Sequence, residues 1–214
     1  MNNDLSDYRK SYEKDELLES HVPDNPMELF KTWFHEVDAS FAGETNAMTV
    51  STIGLDGYPK SRVVLLKKYT YEGFIFYTNY ESEKGNAIAN NPNVCLSFFW
   101  QSFERQIIIK GKAEKIAENL SDGYFESRPR GSQLGAAVSH QSHVVPSREF
   151  LEQQLSLLEK QYEGKDIPRP KNWGGYLVRP VEMEFWQGRP NRLHDRIRYQ
   201  LQEDYNWLIN RLSP

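Results

Sequence analysis

Between positions 184 and 196 the chain gathers three arginines (Arg189, Arg192, Arg196), one histidine (His194) and two carboxylates (Glu184, Asp195) around a Trp186, Gln187, Gly188 step. Arginine stays charged and forks onto carboxylate or phosphate oxygens, whereas histidine exchanges a proton near neutral pH. The cluster therefore suits a site that holds an anion and handles a proton beside it. If 192–196 is an extended strand, alternation sets Arg192, His194 and Arg196 on one face and Leu193 and Asp195 on the other. A half-buried strand with an ordinary solvated face alternates in the same way, so spacing alone leaves both readings open.

Other cations are spaced for chemistry too. Arg62 and Lys67 lie five apart, which in a regular strand places them on opposite faces, where they can serve two different ligands. Ser82, Glu83 and Lys84 open a helical pattern, and the free amides and positive dipole end of a helix start favour phosphate. Tyr124 and Arg128 are four apart and share a helical face, with Pro129 ending that helix. Each has a plainer alternative: a cation where an apolar strand meets water, or a charged loop at 128–131. His140 and His143 are too few for zinc, which takes three or four protein ligands, and no metal site is expected. There is no Gly-rich phosphate loop, nucleophile elbow or pair of catalytic carboxylates.

The elements that must position these groups follow from periodicity. Residues 1–23 are highly charged and read as a mobile arm with a short helix near 8–19. The main domain, 24–214, opens with Asn25 as cap, Pro26 in the first turn and Glu28 three residues after the cap. Leu29, Phe30, Trp33, Phe34, Val37 and Phe41 then form one apolar helical face. Short β-rich runs follow at 47–53, 61–68, 74–78, 94–99 and 105–113, with turn chemistry at Asp56-Gly57 and Glu72-Gly73. Helical patterns cover 83–90, 122–126, 132–138 and 148–162, and strands return at 176–178, 183–186, 192–202 and 207–212. The sum is a mainly β (α+β) domain, a closed or nearly closed antiparallel barrel with peripheral helices.

Bulk properties narrow the function. A chain of 214 residues buries a core without staples. A net charge of −4 argues against nucleic acid as partner. No apolar run approaches the roughly 20 residues of a membrane helix. The single cysteine, Cys95, has no internal disulfide partner and reads as a small core residue in a reducing, cytoplasmic setting.

Taken in order, the segments 62–67, 76–79, 104–106, 127–133, 141–142, 173–175 and 184–196 resemble the pyridoxamine 5'-phosphate oxidases, FMN enzymes that make pyridoxal 5'-phosphate. The resemblance spans about 24–214 and, more weakly, the arm. It implies an FMN-binding split barrel acting as a homodimer, with flavin in clefts between subunits. It implies FMN contacts from Arg62, Val63, Val64, Leu65, Leu66, Lys67, Tyr77, Thr78, Lys84, Gln106, Gln141, Ser142, Trp186 and Arg196. Substrate contacts are implied for Lys67, Tyr124, Arg128 and Ser132 at the phosphate, Arg192 and His194 at the pyridoxyl group, and Arg9 and Tyr12 from the arm. Arg192 and His194 are the candidates for catalysis.

The implied reaction takes pyridoxamine or pyridoxine 5'-phosphate to the aldehyde, with dioxygen reoxidising the flavin to give hydrogen peroxide, and ammonia leaving from the amine. Family members often carry arginine where Glu83 stands, so this position is expected to weaken flavin binding unless its carboxylate turns to solvent. A split-barrel flavin reductase would share Arg62, Lys84 and Gln106 but need neither the 192–196 cluster nor Tyr124, Arg128 and Ser132. A non-enzymatic pyridoxal phosphate carrier would bind the aldehyde without turnover.

Overall fold

The computed structural model describes residues 3–41 and 43–214. Helices are α1 (Pro26–Ala39), α2 (Glu83–Asn90), α3 (Glu118–Ser127), α4 (Arg130–Val138) and α5 (Arg148–Gln161). Strands are β1 (Ala47–Ile53), β2 (Pro59–Leu65), β3 (Lys68–Thr70), β4 (Gly73–Asn79), β5 (Asn93–Trp100), β6 (Arg105–Lys115), β7 (Trp173–Gln187), β8 (Asp195–Leu201) and β9 (Trp207–Arg211). They hydrogen-bond in the order β2-β1-β5-β6-β7-β4-β3, with β8 on β7 and β9 on β8. The β3/β4, β4/β7, β7/β8 and β8/β9 pairs are antiparallel.

The chain divides into two compact units. The first holds the chain up to Met48, Cys95–Lys110 and Pro180–Pro214; the second holds Thr49–Val94 and Gly111–Arg179. In the first unit, α1 starts where the Asn25 side chain accepts the Met27 amide, a cap worth about 1 kcal/mol. Its buried face, Leu29, Phe30, Trp33 and Val37, packs by ring edges: Phe30 on Phe98 at 5.4 Å and Trp33 on Phe185 at 5.4 Å. Phe30 is fully buried, and Phe30→Ala is expected to cost about 3–5 kcal/mol. Phe41, expected on this face, instead lies past the helix end at φ 53°, 93 % exposed.

In the second unit, a cluster of Phe125, Leu134, Ile167 and Trp173 ties α3 and α4 to the start of β7, with Tyr77, Tyr124 and Leu158 packed on it. β7 is one strand of 15 residues, where the sequence reading had two short ones. Proline normally breaks a ladder because it donates no amide. Here β4 pairs with Trp173 through Val178 and β8 with Glu182 through Gln187, so on that edge Pro180 lies between the two ladders and leaves no bond unmade.

Two further expectations give way. No α-helix forms near 8–19: the arm has irregular and turn backbone until a single 3-10 turn at Glu19–His21. The 192–202 strand starts only at Asp195, because Pro190–Arg192 is a 3-10 turn in which Asn191 and Arg192 have φ of 56° and 61°. Alternation therefore cannot place Arg192 and His194 on one strand face.

Candidate active site

In the second unit, the ends of β2 and β4 and the starts of α2 and β7 converge with α3 on a cavity of about 310 Å3. It is lined by Val63, Val64, Leu65, Lys67, Tyr77, Thr78, Lys84, Tyr124, Arg128, Gln141 and Trp173. Ten of these are site residues expected from the sequence; Trp173 is the addition. The tryptophan stacks on Tyr77 (5.4 Å, 13°), which stacks on Tyr124 (3.9 Å, 22°). Gly175 permits this stack, since a Cβ there would sit 2.5 Å from Ile116 Cδ1 and 3.0 Å from Tyr77 Cε1. The sequence signal for Trp173 was the Trp-Gly-Gly step itself: a large ring followed by two positions without side chains.

The Arg128 guanidinium lies 4.7 Å from the Trp173 ring centroid, held by the ring's negative face. Its Nη1 is buried and has no hydrogen-bond acceptor among the described residues, and burial pushes its pKa down. Leaving a buried charged donor unpaired is costly, and an anion supplied from outside can meet that donor. Lys67, exposed at the cavity rim, adds a second cation there.

Lys84 is a further, buried cation of the cavity. Ser82 caps α2 by accepting the Gly85 amide at 3.2 Å, which sets Lys84 in the first turn. Its ammonium is 7 % exposed and donates to Thr78 Oγ1 at 3.2 Å. Burial, then the charge of Arg62, pushes its pKa down to about 8. Gln141 faces the same threonine: its Oε1 accepts from Thr78 Oγ1 (3.1 Å) and the Asn79 amide (3.3 Å). Glu83 turns to Lys60 at 2.5 Å, both half exposed, so its charge is matched on the solvent side. Arg62 does not line the cavity; its Nη1 donates to Thr52 Oγ1 and the Lys60 carbonyl, each at 2.7 Å. Leu66 is a core residue, 3 % exposed, while Ser132 and Ser142 are exposed and outside the lining, Ser142 at φ 73°.

The first unit gathers a second set. Trp186 lies 4.7 Å from His194, and Tyr12 stands edge-on to Trp186 at 5.7 Å and 5.8 Å from His194. The Arg189 amide donates to His194 Nδ1 at 3.1 Å, which puts the proton of a neutral imidazole on Nε2. Burial, then Arg192, pushes the His194 pKa below its usual value, which favours the neutral ring. Arg192 is exposed and forms no ion pair among the described residues. Arg196 Nε donates to Glu184 (2.7 Å) and Nη1 to the Ser213 carbonyl (2.8 Å). Gln106 donates to Ser97 Oγ at 3.3 Å, and Arg9 to the Ser6 carbonyl at 3.0 Å. The His140 and His143 rings are 6.2 Å apart, and no group of three or more metal-ligating side chains occurs among the described residues. No helix among them is long and apolar enough to cross a membrane.

The pyridoxamine 5'-phosphate oxidase family model matches residues 34–162, and that of the pyridoxine 5'-phosphate oxidase C-terminal dimerisation region matches 173–214. A pyridoxine/pyridoxamine 5'-phosphate oxidase of Flavobacterium psychrophilum is 72% identical over 213 residues, covering 99% of both chains. One from Nostoc sp. is 49% identical over 214 residues, with full coverage of both. Among solved structures, PhzG from Burkholderia lata 383 in complex with tetrahydrophenazine-1-carboxylic acid superposes with TM-score 0.86 at 30% identity. That match covers 94% of this chain and 98% of PhzG. The chain belongs to the pyridoxamine 5'-phosphate oxidase family, whose mainly β split-barrel fold with peripheral helices accounts for the observed elements.

Proposed function

We infer that this protein is an FMN-dependent oxidase converting pyridoxamine 5'-phosphate and pyridoxine 5'-phosphate to pyridoxal 5'-phosphate. Oxygen becomes hydrogen peroxide, and the amine substrate also takes up water and releases ammonia. The observation that carries the reading is the pair of uncompensated cations on one cavity: Arg128 with a buried, partnerless Nη1, and Lys84 buried at a helix start with its pKa pushed down. Two phosphate monoesters, one on the cofactor and one on the substrate, are the complement such a site calls for.

Bound FMN supplies the acceptor for the two electrons leaving the substrate's C4' and passes them to dioxygen. The residues present fit it: Lys84 and the first turn of α2 would hold its phosphate, and Gln141 offers an amide beside Thr78. Arg128, Lys67 and Tyr124 hold the substrate phosphate, remote from the reacting carbon, so binding energy is available for orientation. The Tyr77, Tyr124 and Trp173 stack fixes the floor under Arg128. His194, neutral with its proton on Nε2, offers a donor to the pyridoxyl group, and Arg192 adds a permanent charge; guanidinium is a poor base at neutral pH.

The homodimer belongs to this proposal, with FMN in clefts between subunits. It is supported by the match to a dimerisation region. A cytoplasmic location fits the lone, unpaired Cys95. The deciding experiment is anaerobic: a yellow protein bleached by pyridoxamine 5'-phosphate and recoloured by air supports the reading, whereas protein that binds FMN but is not bleached rejects it.

A further inference from the structure

Glu104 sits at the turn between β5 and β6 in a left-handed backbone conformation, φ 55° and ψ 38°. Glycine and asparagine are the usual occupants of that region, and a larger residue there points to a demand on its side chain. The carboxylate is 2 % exposed, yet its partners come from one segment, the N-terminal arm. Oε2 accepts the amides of Glu13 (2.9 Å) and Lys14 (3.2 Å), and Oε1 faces the Lys10 ammonium at 3.4 Å. Arg105 continues the grip, donating to Asp15 at 2.6 Å and to Glu36 while lying 4.4 Å over the Trp33 ring.

The same turn is stapled to the end of β7. The Gly188 amide donates to the Glu104 carbonyl at 2.7 Å, and Arg105 Nε donates to Gln187 Oε1 at 2.9 Å. Gly188 in turn is the seat of Tyr12: a Cβ there would lie 2.7 Å from Tyr12 Cγ. The arm is thus fixed in register with the strand end that carries Trp186, and Tyr12 is delivered onto Trp186 and His194.

We propose that Glu104 is a positioning residue of the oxidase. Its buried carboxylate docks arm residues 10–14 and so holds Tyr12 over His194 and Trp186, with Gly188 as the matching socket. The proposal rests on the reading of His194 as a substrate-facing group, but docking itself is measurable without substrate. A carboxylate this buried is tolerable only while paired, so docking and the charge of Glu104 stand or fall together.

The test uses the full-length FMN-loaded protein. Glu104→Gln is expected to raise the rate of tryptic cleavage after Lys10 and Lys14 about tenfold. It should raise KM for pyridoxamine 5'-phosphate by a similar factor, the size of one charge-assisted hydrogen bond lost, with kcat and flavin content close to wild type. Combined with Tyr12→Ala, it should add nothing to the KM of Tyr12→Ala alone, as a residue acting through Tyr12 requires. Gly188→Ala, which leaves Glu104 in place, should raise KM alike, so a Glu104 variant that fails to fold does not end the test. Unchanged trypsin sensitivity in Glu104→Gln, or additive KM effects in the double variant, overturns the proposal. Absence of turnover in wild type would reject the functional reading instead, leaving proteolysis to decide docking.

Discussion

The cations of the 184–196 stretch and those of the Lys67, Lys84 and Arg128 cavity look alike in composition and differ in company. In the first region nearly every guanidinium is spent on a carboxylate: Arg196 on Glu184, Arg189 on Glu16 and Asp195, and Arg211 nearby on Glu19 and Asp195. Only Arg192 stands apart. In the cavity no cation has an ion-pair partner among the described residues, and one, Arg128, has a buried nitrogen with no acceptor at all. A paired arginine contributes to the fold; an unpaired buried one is a cost the fold carries for the sake of a ligand.

The contrast can be broken most directly at Arg128. Arg128→Met should raise KM for pyridoxamine 5'-phosphate by roughly 100-fold, about 3 kcal/mol for a buried charged contact, while the melting temperature stays level or rises because an unpaired charge is removed. A fall in melting temperature with KM intact would reverse the assignment. Lys84→Met should weaken FMN binding by roughly 10–100-fold in a fluorescence titration, again with no loss of fold stability. In the paired region the order inverts. Arg196→Ala leaves Glu184, only 13% exposed, without its partner. It should cost about 1–2 kcal/mol of stability after allowance for solvent at the arginine, with flavin lost as the local structure loosens. Arg192→Ala, at the exception, should depress turnover about tenfold with flavin content unchanged.

The smallest effect is one of pH. The Lys84 ammonium titrates near 8 in the folded chain against 10.5 when unperturbed. FMN affinity should therefore fall as pH climbs past about 8, where the cation that meets the phosphate is lost. Between pH 8 and 10.5 the unfolded chain holds a proton that the native one lacks. Stability of flavin-free protein should then rise with pH in that window relative to Lys84→Met; parallel pH profiles for the two proteins would remove Lys84 from the account.

Local pattern carried much of the fold. The 83–90 helix and the 47–53 strand have the bounds their periodicity predicts, because a cap such as Ser82 and an alternating run act within a few residues. Pattern failed where a distant partner overrode local preference. The runs 176–178 and 183–186 read as two strands and are one, β7, with Pro180 between two ladders. The arm reads as a short helix and is irregular, with the amides of Glu13 and Lys14 bonded to Glu104 about 90 positions away. Arg192 reads as a strand residue and takes a left-handed turn. Trp173 was visible as a motif, but its place beneath Arg128 needed α3 folded against β7.

Sequence by itself determined the family, since the segments 62–67, 76–79, 104–106, 127–133, 141–142, 173–175 and 184–196 resemble, in order, those of the pyridoxamine 5'-phosphate oxidases. It also set segments such as the 47–53 strand and the 83–90 helix, because those choices are made over a handful of neighbouring residues. Tertiary structure alone decided which positive charges are neutralised and which are left unpaired among the described residues. Charge pairing depends on distances in space, and the carboxylates that quiet Arg105, Arg196 and Arg211 come from positions 12 to 192 residues away.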